Sequence, residues 1–152
     1  MKNIYKKLIV FEELITKIFL CVIILLVFIA ALMRSIKLPL NWAVDIAQLL
    51  FAWTIFIGAD IAMRRKKLMG VDIITEKLSK KLHKAIKLLF SLIIIIFLSL
   101  LLFYGIQLSI ENYARTFQSL QISYSWATLS APIGALLMII TTLLQIKNII
   151  IN

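Results

Sequence analysis

Four stretches without Asp, Glu, Lys or Arg decide what this chain can fold into. They cover residues 18–33, 38–59 (broken only by Asp45), 88–110 and 116–146. A helix crosses the bilayer core with about 20 consecutive apolar residues. The first part of the fourth stretch carries Gln118, Ser119, Gln121, Ser123 and Ser125 and reads as a loop. The pattern therefore predicts four spanning helices, at 14–34, 42–63, 87–110 and 126–147. Composition agrees: 62% of residues are hydrophobic and 16% charged, with a mean hydropathy of +1.03. Soluble domains are about 45–50% apolar and about 25% charged, so a soluble globular domain is excluded, and so is disorder. The single cysteine, Cys21, leaves no disulfide framework and no paired-thiol chemistry.

The first span reads as a permanent one. Its apolar run exceeds the ~7–15 residues of a signal peptide, and no small-x-small cleavage site follows it. Orientation comes from the basic residues. Fourteen of the 17 fall in the N-terminal segment, the loop between spans two and three, and the C-terminal end. Only Arg34, Lys37 and Arg115 fall on the other side. The positive-inside rule then places both termini and the middle loop in the cytoplasm, with loops 34–41 and 111–125 facing outward. Trp42, Tyr104, Tyr113, Tyr124 and Trp126 gather as an outer aromatic belt. The net charge of +10 is thus a topology signal, not a nucleic-acid footprint.

The middle loop has a helical pattern of its own. Val71, Ile74, Leu78, Leu82 and Ala85 or Ile86 share one face; Glu76, Lys77, Lys80, Lys81, Lys84 and Lys87 occupy the other. Asp72 suits the N-cap. The expectation is an amphipathic helix at 71–86 on the cytoplasmic membrane surface, its rival being a continuous extension of the third span. The whole chain reads as a single membrane domain, 1–152.

Residues suited to catalysis or metal binding are not grouped. The one histidine, His83, lies on the basic face of the middle-loop helix. Asp45 and Asp60 sit in one span, fifteen residues and about 22 Å apart by helical rise, too far for a two-carboxylate site. Glu12 and Glu13 precede the first apolar run and do not reach mid-membrane. The glycines are scattered and form no phosphate loop. Catalytic, substrate-binding and metal residues are therefore expected to be absent, as is any cofactor, and the chain is not read as an enzyme. Asp60 has two readings: an i,i+4 pair with Arg64, or a salt bridge to a partner helix. Small residues mark close helix approach: Ala43 and Ala47; Gly58 and Ala62; Ala127, Ala131 and Ala135; Ser130 and Gly134. Trp53 lies too deep for the interfacial belt and reads as core packing or an inter-subunit contact.

Residues 42–74, WAVDIAQLLFAWTIFIGADIAMRRKKLMGVDII, resemble the signature of the small membrane (Q-type, DctQ) subunit of tripartite ATP-independent periplasmic (TRAP) transporters. The matching features are Trp42, Asp45, Trp53, Gly58-Ala59, Arg64-Arg65 and Val71-Asp72. In the fourth span, Trp126, Ala131-Pro132-Ile133-Gly134 and Leu137-Met138 resemble the family's pattern as well. Two positions depart from it: Leu68 stands where a His is common, and Gln48 where a basic residue is common.

The resemblance implies a multi-pass protein of the bacterial inner membrane in a sodium-coupled importer of carboxylated solutes such as C4-dicarboxylates or sialic acid. A periplasmic binding protein would capture the solute. A large elevator-type subunit, expected as a separate chain, would move it. The small subunit would brace the large one's scaffold. Candidates for the large-subunit interface are Trp53, Gly58, Ala59, Asp60, Ala62 and Arg64. Candidates for anchoring to anionic lipid are Arg64, Arg65, Lys66, Lys67, Lys77, Lys80, Lys81 and Lys84. Arg34 and Lys37 are candidates for docking the binding protein. The alternatives are a free-standing four-helix exporter or channel, and an accessory scaffold of another membrane complex.

Overall fold

A computed structural model describes the backbone of residues 2–65 and 80–151 and the side chains of 9–65 and 82–151. The described residues form α1 (Lys2–Ser35), α2 (Asn41–Arg64), α3 (Lys80–Glu111), the short α4 (Ser125–Thr128) and α5 (Ser130–Ile151). Four spans long and apolar enough to cross a membrane result: Ile9–Ser35, Asn41–Arg64, Leu82–Glu111 and Ser125–Ile151. All four expected spans are present.

The differences lie at helix ends. The helix of span one begins at Lys2 rather than near 14, because a membrane boundary does not stop a helix; only a breaker or a cap does. Span three begins at Lys80, so residues 80–86 of the expected surface helix continue into it without a break. The rest of that expected helix lies outside the described residues. Span four runs on to Ile151. Its α4 and α5 are divided only at Leu129, which keeps helical angles (φ −61°, ψ −21°). Pro132 lies just beyond and has no amide to offer the preceding turn, a loss that is small this early in a helix.

The described helices do not close into a ring. Among the described residues, α1 packs on α2, α2 on α5, and α5 on α3, which gives the order α1–α2–α5–α3. Burial follows that order. The spans with neighbours on two sides bury most: 44% of the most apolar window of the fourth span and 22% of the second, against 11% for the third and 6% for the first. Small residues set the approach at successive interfaces. A Cβ on Gly134 of α5 would lie 2.5 Å from Phe56 Cβ of α2, and one on Gly105 of α3 would lie 3.0 Å from Pro132 Cδ. Gly58 of α2 faces Thr16 of α1 at ordinary contact distance. Met63, Leu98, Ala135 and Met138 form the core where α2, α5 and α3 meet, with Phe56, Ile94 and Leu102 packed against them.

Candidate functional site

Polar groups gather at the two ends of the helix layer, which we call the Arg64 end and the Trp42 end. Hydrocarbon offers no water to unpaired polar atoms, so groups buried there must find partners within the protein.

At the Arg64 end, Asp60 is wholly buried and Glu12 nearly so. The expected i,i+4 ion pair between Asp60 and Arg64 forms. It is enclosed by the fold, with a third and a fourth partner. Thr141 Oγ1 of α5 donates to Asp60 Oδ1 at 2.6 Å and accepts from Arg64 Nε at 3.2 Å. Arg64 Nη1 donates to Glu12 Oε2 of α1 at 2.6 Å. One guanidinium thus ties α1, α2 and α5 together: it donates to Glu12 and Thr141 and is ion-paired with Asp60. Beside it, Arg65 Nε donates to Glu13 Oε1 at 3.1 Å in a more exposed pair. Gln145 Nε2 donates to the Met63 carbonyl at 2.8 Å, and Thr142 Oγ1 to the Met138 carbonyl at 2.8 Å. Lys84 Nζ donates to the Ile150 carbonyl at 3.1 Å, joining the ends of α3 and α5.

The Trp42 end is held differently. A small hairpin carries the bridge Thr116–Ser123. The Phe117 amide donates to the Ile122 carbonyl at 2.9 Å, and the Tyr124 amide to the Arg115 carbonyl at 2.7 Å. Phe117 is buried against Tyr124, over which the Arg115 guanidinium lies 5.2 Å from the ring centroid. Asp45 Oδ2 accepts from the Ser119 amide at 2.8 Å and fastens the hairpin to α2. Ser125 Oγ donates to the Ser109 carbonyl at 2.7 Å, and Trp53 Nε1 to the Trp126 carbonyl at 3.0 Å.

These contacts show where each candidate from the sequence falls. Trp53, Gly58, Ala59, Asp60 and Arg64 all engage other helices of this chain; Ala62 is half-buried. Of the lipid-anchoring candidates, Arg64 is in the buried network, Arg65 pairs with Glu13, and Lys84 meets α5. Lys66, Lys67 and Lys77, and the side chains of Lys80 and Lys81, lie outside the described residues. Arg34 and Lys37 line a cavity between the end of α1 and the start of α2. Glu12, Glu13 and Thr141 were not anticipated as partners of the Arg64 end. A signal for the two acids exists: Glu12-Glu13 just before the first apolar run mirrors Arg64-Arg65 just after the second, at the same end of antiparallel helices. Thr141 has no comparable signal. Among the described residues, no group of His, Cys, Asp and Glu is placed to hold a metal ion.

Fold and polar contacts together define a multi-pass α-helical membrane protein in which Glu12, Asp60, Arg64 and Lys84, among other charged groups, fasten its own helices. Residues 23–151 match the family of tripartite ATP-independent periplasmic transporters, DctQ component, and the chain belongs to that family. It is a multi-pass protein of the inner membrane. A curated relative is the sialic acid TRAP transporter small permease protein SiaQ of Vibrio cholerae serotype O1, 26% identical over 111 residues. The match covers 73% of this chain and 64% of the length of that relative.

Proposed function

We propose that this chain is the small permease subunit of a TRAP importer and braces the scaffold of a separate, large elevator-type subunit. The membership of residues 23–151 in the DctQ component family carries this reading. The open helix order supports it, because α1 and α3 each keep most of their apolar surface outside the chain's own core. Binding to a large subunit would cover part of that surface while lipid covers the rest. The network of Glu12, Asp60, Arg64 and Thr141 suits a fixed frame, since breaking it would strand charges away from water.

In this reading the transported solute is carboxylated and sodium drives its uptake, with a periplasmic binding protein delivering it. Sialic acid is one candidate solute, from the name of the curated relative. Purification in mild detergent from cells that also express the large subunit tests the assembly: co-elution with a roughly 12-helix membrane protein is expected. Elution of this chain alone, with uptake unaffected by its deletion, would overturn the proposal. Uptake of radiolabelled sialic acid and C4-dicarboxylates with and without a sodium gradient then identifies the solute and the driving ion.

A further inference from the structure

The cavity at the Trp42 end has features that docking of a soluble partner does not explain. It is a half-open groove with about 510 Å³ of accessible space between the end of α1 and the start of α2, room enough for a phospholipid headgroup and glycerol, since small-molecule sites hold about 300–1,000 Å³. Arg34, Lys37 and Asn41 supply its polar lining; Ala30, Pro39, Leu40 and Val44 supply an apolar one. Neither Arg34 nor Lys37 has an ion-pair partner among the described residues. By contrast, Arg64 and Arg65 at the other end are both paired.

Two observations place this cavity at the depth of lipid headgroups. Trp42, next to the lining residue Asn41, is 45% exposed, and tryptophans at span ends sit at the headgroup level. Ile36 and Leu38, on either side of Lys37, are 61% and 59% exposed. A connecting loop that projects two large apolar side chains beside its cation is suited to the membrane interface rather than to open water. Lys37 also adopts φ 62°, a left-handed conformation at the helix C-terminus that glycine usually fills. The chain therefore keeps a long cationic side chain at the cavity where glycine would fit the backbone with less strain.

We infer that Arg34 and Lys37 hold the phosphodiester of an anionic phospholipid in this cavity, with the glycerol and upper acyl chain against Ala30, Leu40 and Val44. Both cations donate charge-assisted hydrogen bonds to phosphate. The mixed polar and apolar lining favours a lipid over free phosphate or an acidic protein surface.

The test is native mass spectrometry of the full chain, in the assembly it holds in mild detergent, after delipidation and titration with phosphatidylglycerol or phosphatidylcholine. Basic residues elsewhere will also bind phosphatidylglycerol, so the measured quantity is the difference between variants. Arg34→Gln/Lys37→Gln is expected to carry one phosphatidylglycerol fewer than the parent protein, with phosphatidylcholine unchanged. Lys37→Gly removes one cation while relaxing the backbone. It is expected to raise the melting temperature while weakening that one lipid about tenfold, a combination that misfolding cannot produce. Equal phosphatidylglycerol stoichiometry in all three proteins would overturn the inference. Displacement of the lipid by millimolar inorganic phosphate would also overturn it, in favour of a free-anion site. Unchanged lipid binding with lost solute uptake would overturn it in favour of docking the binding protein.

Discussion

The two ends of the helix layer solve the same problem with different chemistry. At the Arg64 end, α1, α2 and α5 are joined by ionised side chains, two of them buried carboxylates that share one guanidinium. At the Trp42 end, the joints among α2, α3 and the fourth span are backbone amides and carbonyls met by Asp45, Ser125 and Trp53. The first kind of joint is severe when broken, because an orphaned charge remains in a medium that cannot solvate it. The second kind loses one ordinary hydrogen bond. The Arg64 end should therefore decide whether the helices stay together, and the Trp42 end should tune local order. α1 depends on this most, since among the described residues it packs on α2 alone.

That contrast can be broken in graded steps, each read as thermal or denaturant unfolding in detergent. The largest effect is expected for Arg64→Leu, which strands Glu12 and Asp60 together; removing one partner of a buried pair costs about 3–5 kcal/mol. A loss below that of a surface charge would remove the distinction between the two ends. Asp60→Asn should be milder than Arg64→Leu, because Arg64 keeps Glu12 and the amide oxygen still accepts from Thr141. The reverse ranking would show that Glu12 is not an effective partner in the membrane.

Packing comes next. Gly134→Leu drives a side chain into Phe56, and overpacking of this kind costs about 1–3 kcal/mol. Unchanged stability would mean that α2 and α5 separate without penalty. Trp53→Phe keeps most of the ring's bulk but removes the donor to the Trp126 carbonyl. Hydrogen bonds between membrane helices average about 0.6 kcal/mol, so a small loss is expected, with hydrogen exchange rising around residues 124–128. A loss as large as that of Arg64→Leu would erase the ranking of the two ends. The smallest effect belongs to Arg65→Gln. Its side chain is 51% exposed, and exposed pairs contribute about 0–1 kcal/mol. Its stability change should fade further in high salt.

Much of the fold was legible locally. Charge-free runs of sufficient length place all four spans, because the bilayer imposes a length and a polarity on anything that crosses it. The i,i+4 spacing made the Asp60–Arg64 pair readable, since helical neighbours are a property of spacing alone. Other features lay beyond local pattern. The start of span three at Lys80 could not be separated from a surface helix, because residues 82, 85, 86 and 89 suit both a membrane-facing stripe and an apolar span. Glu12 looked like an interfacial acid because its partner lies 52 residues away. Thr141 looked like any hydroxyl in a span.

The amino-acid sequence by itself determined that this chain crosses a membrane four times, that its basic residues are segregated by loop, and that it carries the marks of its transporter family. These follow from composition and spacing, which act along the chain. Only the tertiary structure decided the order α1–α2–α5–α3, the enclosure of Asp60, and the cavity lined by Arg34 and Lys37. Helix order turns on which small residues meet which large ones, as Gly134 meets Phe56, and ion pairing turns on which charges arrive at the same depth. Both are set between distant segments by the need to fill space and satisfy charge away from water, and no local period encodes them.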